Sequence, residues 1–223
     1  MRYTLFVLAM LLLGGCGAAS APRDAFPRSD DAVPAGGPAV ERDAVAAFMS
    51  ALEGHCGQAF EGRIVINQPQ AANDPFAARK LVMHVRECGE AIRIPFHVGD
   101  DRSRTWVLTR TGTGLRLQHD HRHEDGSSDA LTMYGGDSRA PGTDVRQEFP
   151  ADAYSKDLFQ RRNIAVSIAN VWAMEIEPGR RFVYELARPG RLFRVEFDLT
   201  RPVPLPPAPW GTPPSGTPPS GTP

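Results

Sequence analysis

From Asp43 to about residue 200 the apolar positions follow two periods in succession. Val45, Phe48, Met49 and Leu52 fall at helical spacing, with Asp43 placed to cap the start and Gly54 to stop the turn. That pattern predicts one N-terminal helix. Thereafter alternate residues are apolar: Phe60, Ile64 and Ile66, then Leu81, Met83 and Val85, then Ile92, Ile94, Phe96 and Val98, then Trp106 and Leu108. The alternation returns at Trp172, Met174 and Ile176, at Phe182, Tyr184 and Leu186, and at Phe193, Val195, Phe197 and Leu199. Each run predicts a strand with one buried and one solvated face, and Gly-containing turns such as Thr-Gly-Thr-Gly, Glu-Asp-Gly and Arg-Pro-Gly separate the runs. About ten strands joined mainly by short hairpins are satisfied most simply by closure, which leaves no edges. The expected fold is mainly β: a single antiparallel up-and-down β-barrel. One segment, DAYSKDLFQRR (152–162), breaks the period and predicts a short helix crossing one end.

Outside this body the pattern is different. Arg2 and the apolar run Leu5 to Leu13 are too short to span a bilayer, which needs about 20 residues, and fit the core of a secretory signal. Residues 16–42 are dominated by Ala, Pro, Gly and Asp without an apolar period, as a flexible tether would be. From residue 201 the chain is proline-rich and repeats GTPPS, which predicts a disordered tail. The organisation is therefore a signal over 1–15, a tether over 16–42, a barrel domain over 43–200 and a tail over 201–223. Lys and Arg number 25 against 26 Asp and Glu, so nothing provides the basic face that nucleic acid requires.

Leu13-Gly14-Gly15-Cys16 resembles the lipobox of bacterial lipoproteins. The resemblance implies that the signal is cleaved before Cys16, that the Cys16 thiol is diacylated and that its new amine is acylated. Several acyl chains anchor stably where one does not. Gly17 stands where aspartate would signal inner-membrane retention, so the resemblance points to the outer membrane, facing the periplasm. The alternative is a plain secretory signal cleaved between Ala18 and Ala21. The helix and meander of 43–200 resemble the calycin architecture of lipocalins and fatty-acid-binding proteins. The Gly-x-Trp of many lipocalins is absent, so no ligand class carries over. HDHRHEDG, TMYGG and FRVEFDL also resemble a secreted family of Gram-negative bacteria, which brings no activity with it.

With Cys16 carrying lipid, Cys56 and Cys88 remain, and an oxidising periplasm favours joining them. Closing a loop of about 30 residues would contribute about 3.5 kcal/mol in the chain-entropy picture. Two buried free thiols are the alternative. Setting Cys56 opposite Cys88 puts Phe60 against His84 and Ile64 against Lys80, mixing core and solvent faces. A one-residue slip aligns Phe60 with Val85 and Ile64 with Leu81 but puts the cysteines out of phase. A bulge near Gly57 or Gly89 meets both needs.

The candidate chemistry lies in LQHDHRHEDG, where His119, His121 and His123 alternate. With the Thr111–Gly114 turn as centre, Leu117 faces Leu108, His119 faces Trp106, His121 faces Arg104 and His123 faces Arg102. The strand then runs from apolar at Leu115 and Leu117 to imidazole at its outer end. Asp125-Gly126 turns it back. Three readings are open. Alternating imidazoles suit a transition metal, yet three span about 13 Å, so at most two share an ion. Tyr134 or Asp137 could add a ligand, while Arg102 and Arg104 oppose a dication. The second is a polar barrel mouth, formed by the histidines with Arg102, Arg104, Trp106 and Tyr134, that binds a small anion or amphiphile. The third is an ordinary hairpin end with satisfied imidazoles. His84 and His97 fall on charged faces, where solvent is expected.

No GxSxG, HExxH or phosphate-cradling glycine loop occurs, so no motif implies a reaction or a cofactor. TMYGGD has paired glycines but no following helix to bind an anion. Two function classes remain. One is a cell-envelope lipoprotein binding a small molecule at the barrel mouth. The other is a structural lipoprotein, or one that meets an envelope protein, whose barrel is filled by side chains. An enzyme comes third.

Overall fold

The computed structural model describes residues 43–70, 74–139 and 142–212. The expected signal, Cys16 and the whole tether, and the GTPPS repeats beyond 212, lie outside these residues. A helix, α1 (Ala44–Glu53), leads into strands β1 (Ala59–Gln68), β2 (Leu81–His84), β3 (Ala91–Val98), β4 (Asp101–Arg110) and β5 (Leu115–His121). Next come β6 (Tyr134–Asp137), β7 (Arg146–Pro150), helix α2 (Ala153–Arg161), a 3-10 turn (Ala165–Ala169) and strands β8 (Val171–Glu177), β9 (Arg181–Arg188) and β10 (Arg191–Val203). All ten strands form one antiparallel sheet in the order β6-β5-β4-β3-β2-β1-β10-β9-β8-β7. Neighbours in sequence are neighbours in space, and β10 closes on β1, giving a nearly closed up-and-down barrel.

The seam lies between β6 and β7. The Asp152 N–H donates to the Gly135 carbonyl at 3.0 Å and the Arg139 N–H to the Glu148 carbonyl at 3.3 Å. The Ser155 hydroxyl, from α2, accepts from the Gly135 N–H at 2.7 Å and donates to the Gly135 carbonyl at 2.9 Å. Of the paired glycines of TMYGGD, Gly136 serves this close approach and Gly135 the one to β5. A Cβ at Gly136 would stand 1.9 Å from the Pro150 carbonyl oxygen, and one at Gly135 would stand 1.8 Å from that of Leu117.

The two ends differ. Asp43 caps α1 by accepting from the Val45 and Ala46 N–H groups, and the helix buries Phe48, Met49 and Leu52 at the end where β1 begins. Alternate barrel residues fill the interior, with Phe60, Phe182, Val195 and Phe197 fully buried. At the opposite end α2, the 3-10 turn and the β1–β2 connection surround an opening. The outer face of β7 to β10 carries an ion-pair lattice. Arg194 bridges Glu175 at 2.6 Å and Glu185 at 2.7 Å, and Arg146 meets Glu185 at 2.9 Å.

Three expectations are corrected. First, Phe60 faces Met83 and Gly62 faces Leu81, a register two residues from the one inferred by aligning apolar faces. Face parity is kept, because a two-residue shift returns each side chain to its side. Gly57 and Gln58 both oppose Val85, with Gly57 at φ 78°, so a bulge does sit at Gly57. Cys56 and Cys88 stand beside it at disulfide distance, with Cα atoms 6.2 Å apart.

Second, the chain does not leave the body at residue 201. β10 continues to Val203, and Pro204, Pro206 and Pro207 border a groove with Val82, His97 and Arg102 on the outer face of β2 to β4. The Trp210 N–H donates to the Arg102 carbonyl at 3.1 Å, and Arg102 Nη1 donates to the Ala208 carbonyl at 3.2 Å. Third, His84 and His97 are buried, each 3 % exposed, rather than solvated. For His97 the reason is this strap, which runs beside its outward-facing ring. Burial, then the charges of His84 and Arg102, push the His97 pKa down to about 4.

Candidate functional site

The β4–β5 hairpin pairs Leu108 with Leu117, Trp106 with His119 and Arg104 with His121. Its four-residue turn and two periodic strands leave little register freedom, since a slip would carry Trp106 and Leu117 to solvent. Along β5 the inward positions become progressively wetter. Leu115 and Leu117 are fully buried, His119 is 3 % exposed, His121 is half-buried and His123 is exposed. The ladder ends at His121, so His123 does not complete the expected pairing with Arg102. It belongs to the turn, where its carbonyl accepts from the Gly126 N–H at 2.9 Å.

His119 is fixed on both nitrogens. Nδ1 lies 3.0 Å from the Tyr134 carbonyl and Nε2 lies 2.8 Å from the Tyr184 hydroxyl. A carbonyl only accepts, so Nδ1 carries the proton and Nε2 accepts from Tyr184. A second link joins the Tyr134 hydroxyl and His121 Nε2 at 3.1 Å. The rings are stacked as well as bonded, His119 on Tyr134 at 4.7 Å and Trp106 on Tyr184 at 4.4 Å.

Burial pushes the His119 pKa down to about 3, assisted by the charge of His121. His121 is lowered to about 4 by burial and then by Arg104. Burial raises the Tyr134 hydroxyl to about 12 and carries Tyr184 well above its ordinary value. At neutral pH both imidazoles are uncharged and both phenols protonated. The wall therefore offers hydrogen bonds and ring faces rather than a charged acid or base.

These side chains line one part of a cavity of about 220 Å³ that opens at the α2 end of the barrel. Trp106, His119, His121, Tyr134, Trp172 and Tyr184 form one wall, and Phe76, Phe96 and Phe193 form another. The Phe76 ring lies tilted against that of Phe193, with centroids 4.9 Å apart. Three arginines border the opening: Arg104, Arg188 and Arg191. Arg104 is held by Asp101 at 2.5 Å. Arg188 Nη1 donates to Asn170 Oδ1 at 3.1 Å, and Arg191 Nη1 donates to Asn67 Oδ1 at 2.6 Å.

The structure thus gathers His119, His121, Arg104, Trp106 and Tyr134 around one cavity. It places His123 on the adjoining turn and Arg102 under the C-terminal strap. Among the described residues no group of three or more His, Cys, Asp or Glu side chains comes together to hold a metal. The three histidines diverge because His119 is spent on Tyr134 and Tyr184, and His123 has left the strand.

Sequence reasoning missed Tyr184, Trp172, Phe76, Arg188 and Arg191 as mouth residues. The Arg188-Pro189-Gly190-Arg191 turn was visible, but nothing local says that its arginines border an opening. Comparison with known proteins finds no matching family model, no matching curated protein and no matching solved structure.

Proposed function

We propose that this protein is a cell-envelope lipoprotein, anchored through acylated Cys16 and facing the periplasm, whose barrel binds a small molecule at its polar mouth. The observation that carries the binding half is the cavity itself: about 220 Å³, open to solvent, walled by aromatic rings and set with a few oriented polar groups. Apolar concavities with a small number of placed polar groups are the usual form of small-molecule sites. The anchoring half rests on the lipobox-like run before Cys16.

A second reading has its own support. Below the mouth the barrel is filled, with Phe48, Phe60, Phe182 and Phe197 fully buried. A body so packed also suits a structural lipoprotein or one that meets an envelope protein. Saturation-transfer NMR with indole, an uncharged aromatic probe, separates the two. Transfer to indole in the wild type, lost when Ser167→Trp fills the mouth, supports the binding reading. No transfer in the wild type favours the filled module. For the anchor, palmitate labelling and membrane fractionation should show labelled, membrane-bound wild type and unlabelled, released Cys16→Ser. A soluble, unlabelled wild type contradicts the anchor.

A further inference from the structure

The opening carries positive charge that its own residues do not neutralise. Arg104, Arg188 and Arg191 border it, and no Asp or Glu is among its lining residues. Arg104 has Asp101 as its counter-ion. Arg188 and Arg191 differ: among the described residues neither forms an ion pair, although Arg146, Arg181 and Arg194 on the outer face of the same sheet each meet at least two carboxylates. Both are half-buried, and each is oriented by a neutral amide, Arg188 by Asn170 and Arg191 by Asn67. Asn67 is itself held by Asp74, whose carboxylate forms no ion pair with Arg191 among the described residues. Burial, and then the charge of Arg191, press the Arg188 pKa below its ordinary value. Two cations that repel each other beside a ring-lined cavity are stabilised by an anion placed between them and the rings.

Size narrows the class. A dry cavity of about 150 Å³ accepts benzene, while drug-sized ligands occupy about 300 Å³ or more. At about 220 Å³ this cavity matches one or two fused rings rather than a long acyl chain. The ring-rich lining, in which Trp106 is itself covered by Phe96 and Tyr184, suits a flat body. We infer that the mouth selects a small aromatic carboxylate, its rings between the Phe76 and Trp172 sides of the cavity and its carboxylate on the guanidinium groups of Arg188 and Arg191. The inference rests on the mouth being a small-molecule site and adds the ligand's charge and shape.

The test compares 2-naphthoate with 2-naphthamide, which has nearly the same shape and no charge, by calorimetric titration of the full chain. The wild type should bind the acid at least about tenfold more tightly than the amide, the size expected of a charge-assisted contact. Arg188→Gln and Arg191→Gln should each remove most of that preference, weakening the acid far more than the amide, with circular dichroism and thermal melts showing that the variants are folded. Octanoate should bind more weakly than 2-naphthoate. Equal binding of acid and amide to the wild type overturns the anion inference and leaves the mouth reading intact. Failure of both naphthyl probes while indole binds overturns the size and charge assignment alone. Failure of all three overturns the mouth reading with it.

Discussion

The Tyr184 hydroxyl lies 2.8 Å from Nε2 of His119, and it donates, because the other His119 nitrogen must give its proton to the Tyr134 carbonyl. The buried imidazole is therefore held neutral in one tautomer between two strands that are not neighbours. Tyr184→Phe removes the donor and leaves a buried acceptor unpaired. Such a loss costs about 1–3 kcal/mol. Urea unfolding should show a lower midpoint with an unchanged slope. A midpoint equal to the wild type would mean that the hydrogen bond contributes nothing.

The buried histidines also set a pH dependence. In the unfolded chain they titrate near 6.5, whereas in the fold His119 is lowered to about 3 and His121 and His97 to about 4. Between these values the unfolded state binds more protons, so stability rises with pH. The full contribution is present above about 6.5 and is lost as pH falls towards 4. Each histidine contributes a slope of up to about 1.4 kcal/mol per pH unit in that window. The urea midpoint should fall between about pH 7 and pH 5, and less steeply in His97→Gln. A flat wild-type profile would contradict the burial of these rings.

The seam gives a steric prediction. Gly136→Ala sets a Cβ against the Pro150 carbonyl, 1.9 Å away if nothing moves. Parting β6 from β7 should cost about 3 kcal/mol, at the upper end of overpacking effects. Gly112→Ala, in the β4–β5 turn, meets nothing within 4 Å and has no positive φ. It should fall within about 0.5 kcal/mol of the wild type in thermal melts. Similar melts for the two variants would remove the seam's role.

The ion-pair lattice separates useful charges from idle ones. Arg194, its side chain 17 % exposed, faces Glu175 and Glu185, which in Arg194→Ala would keep only Arg146 as a partner. The expected loss is about 2 kcal/mol, between that of a surface pair and a fully buried one. Arg63, 78 % exposed beside Glu196, should lose under about 0.5 kcal/mol on the same change. Chemical denaturation of the two variants in parallel would show whether the order holds.

How far the sequence disclosed this arrangement depended on how far each contact reaches along the chain. The β4–β5 register was legible because the Thr111–Gly114 turn joins two periodic strands directly. The β1–β2 register was not, because the long connection from Pro69 to Lys80 pins nothing. The bulge at Gly57 was legible as a conflict between cysteine pairing and face parity. Alternation placed His97 on the outer face correctly, yet said nothing of the strap from residues over 100 positions later, which here approaches it. The mouth was half legible. His119, His121, Arg104, Trp106 and Tyr134 lie on or beside one hairpin. Arg188, Arg191 and Phe76 reach the cavity only when β10 closes on β1.

Native mass spectrometry of the protein extracted gently from the cells that make it would show whether the mouth is occupied. Two populations differing by one small molecule are expected, beyond the mass of the acylated chain. The added mass should disappear in Ser167→Trp while the acyl mass remains. A single wild-type species at the acylated mass, with an empty mouth under conditions that keep the barrel folded, would contradict the binding reading.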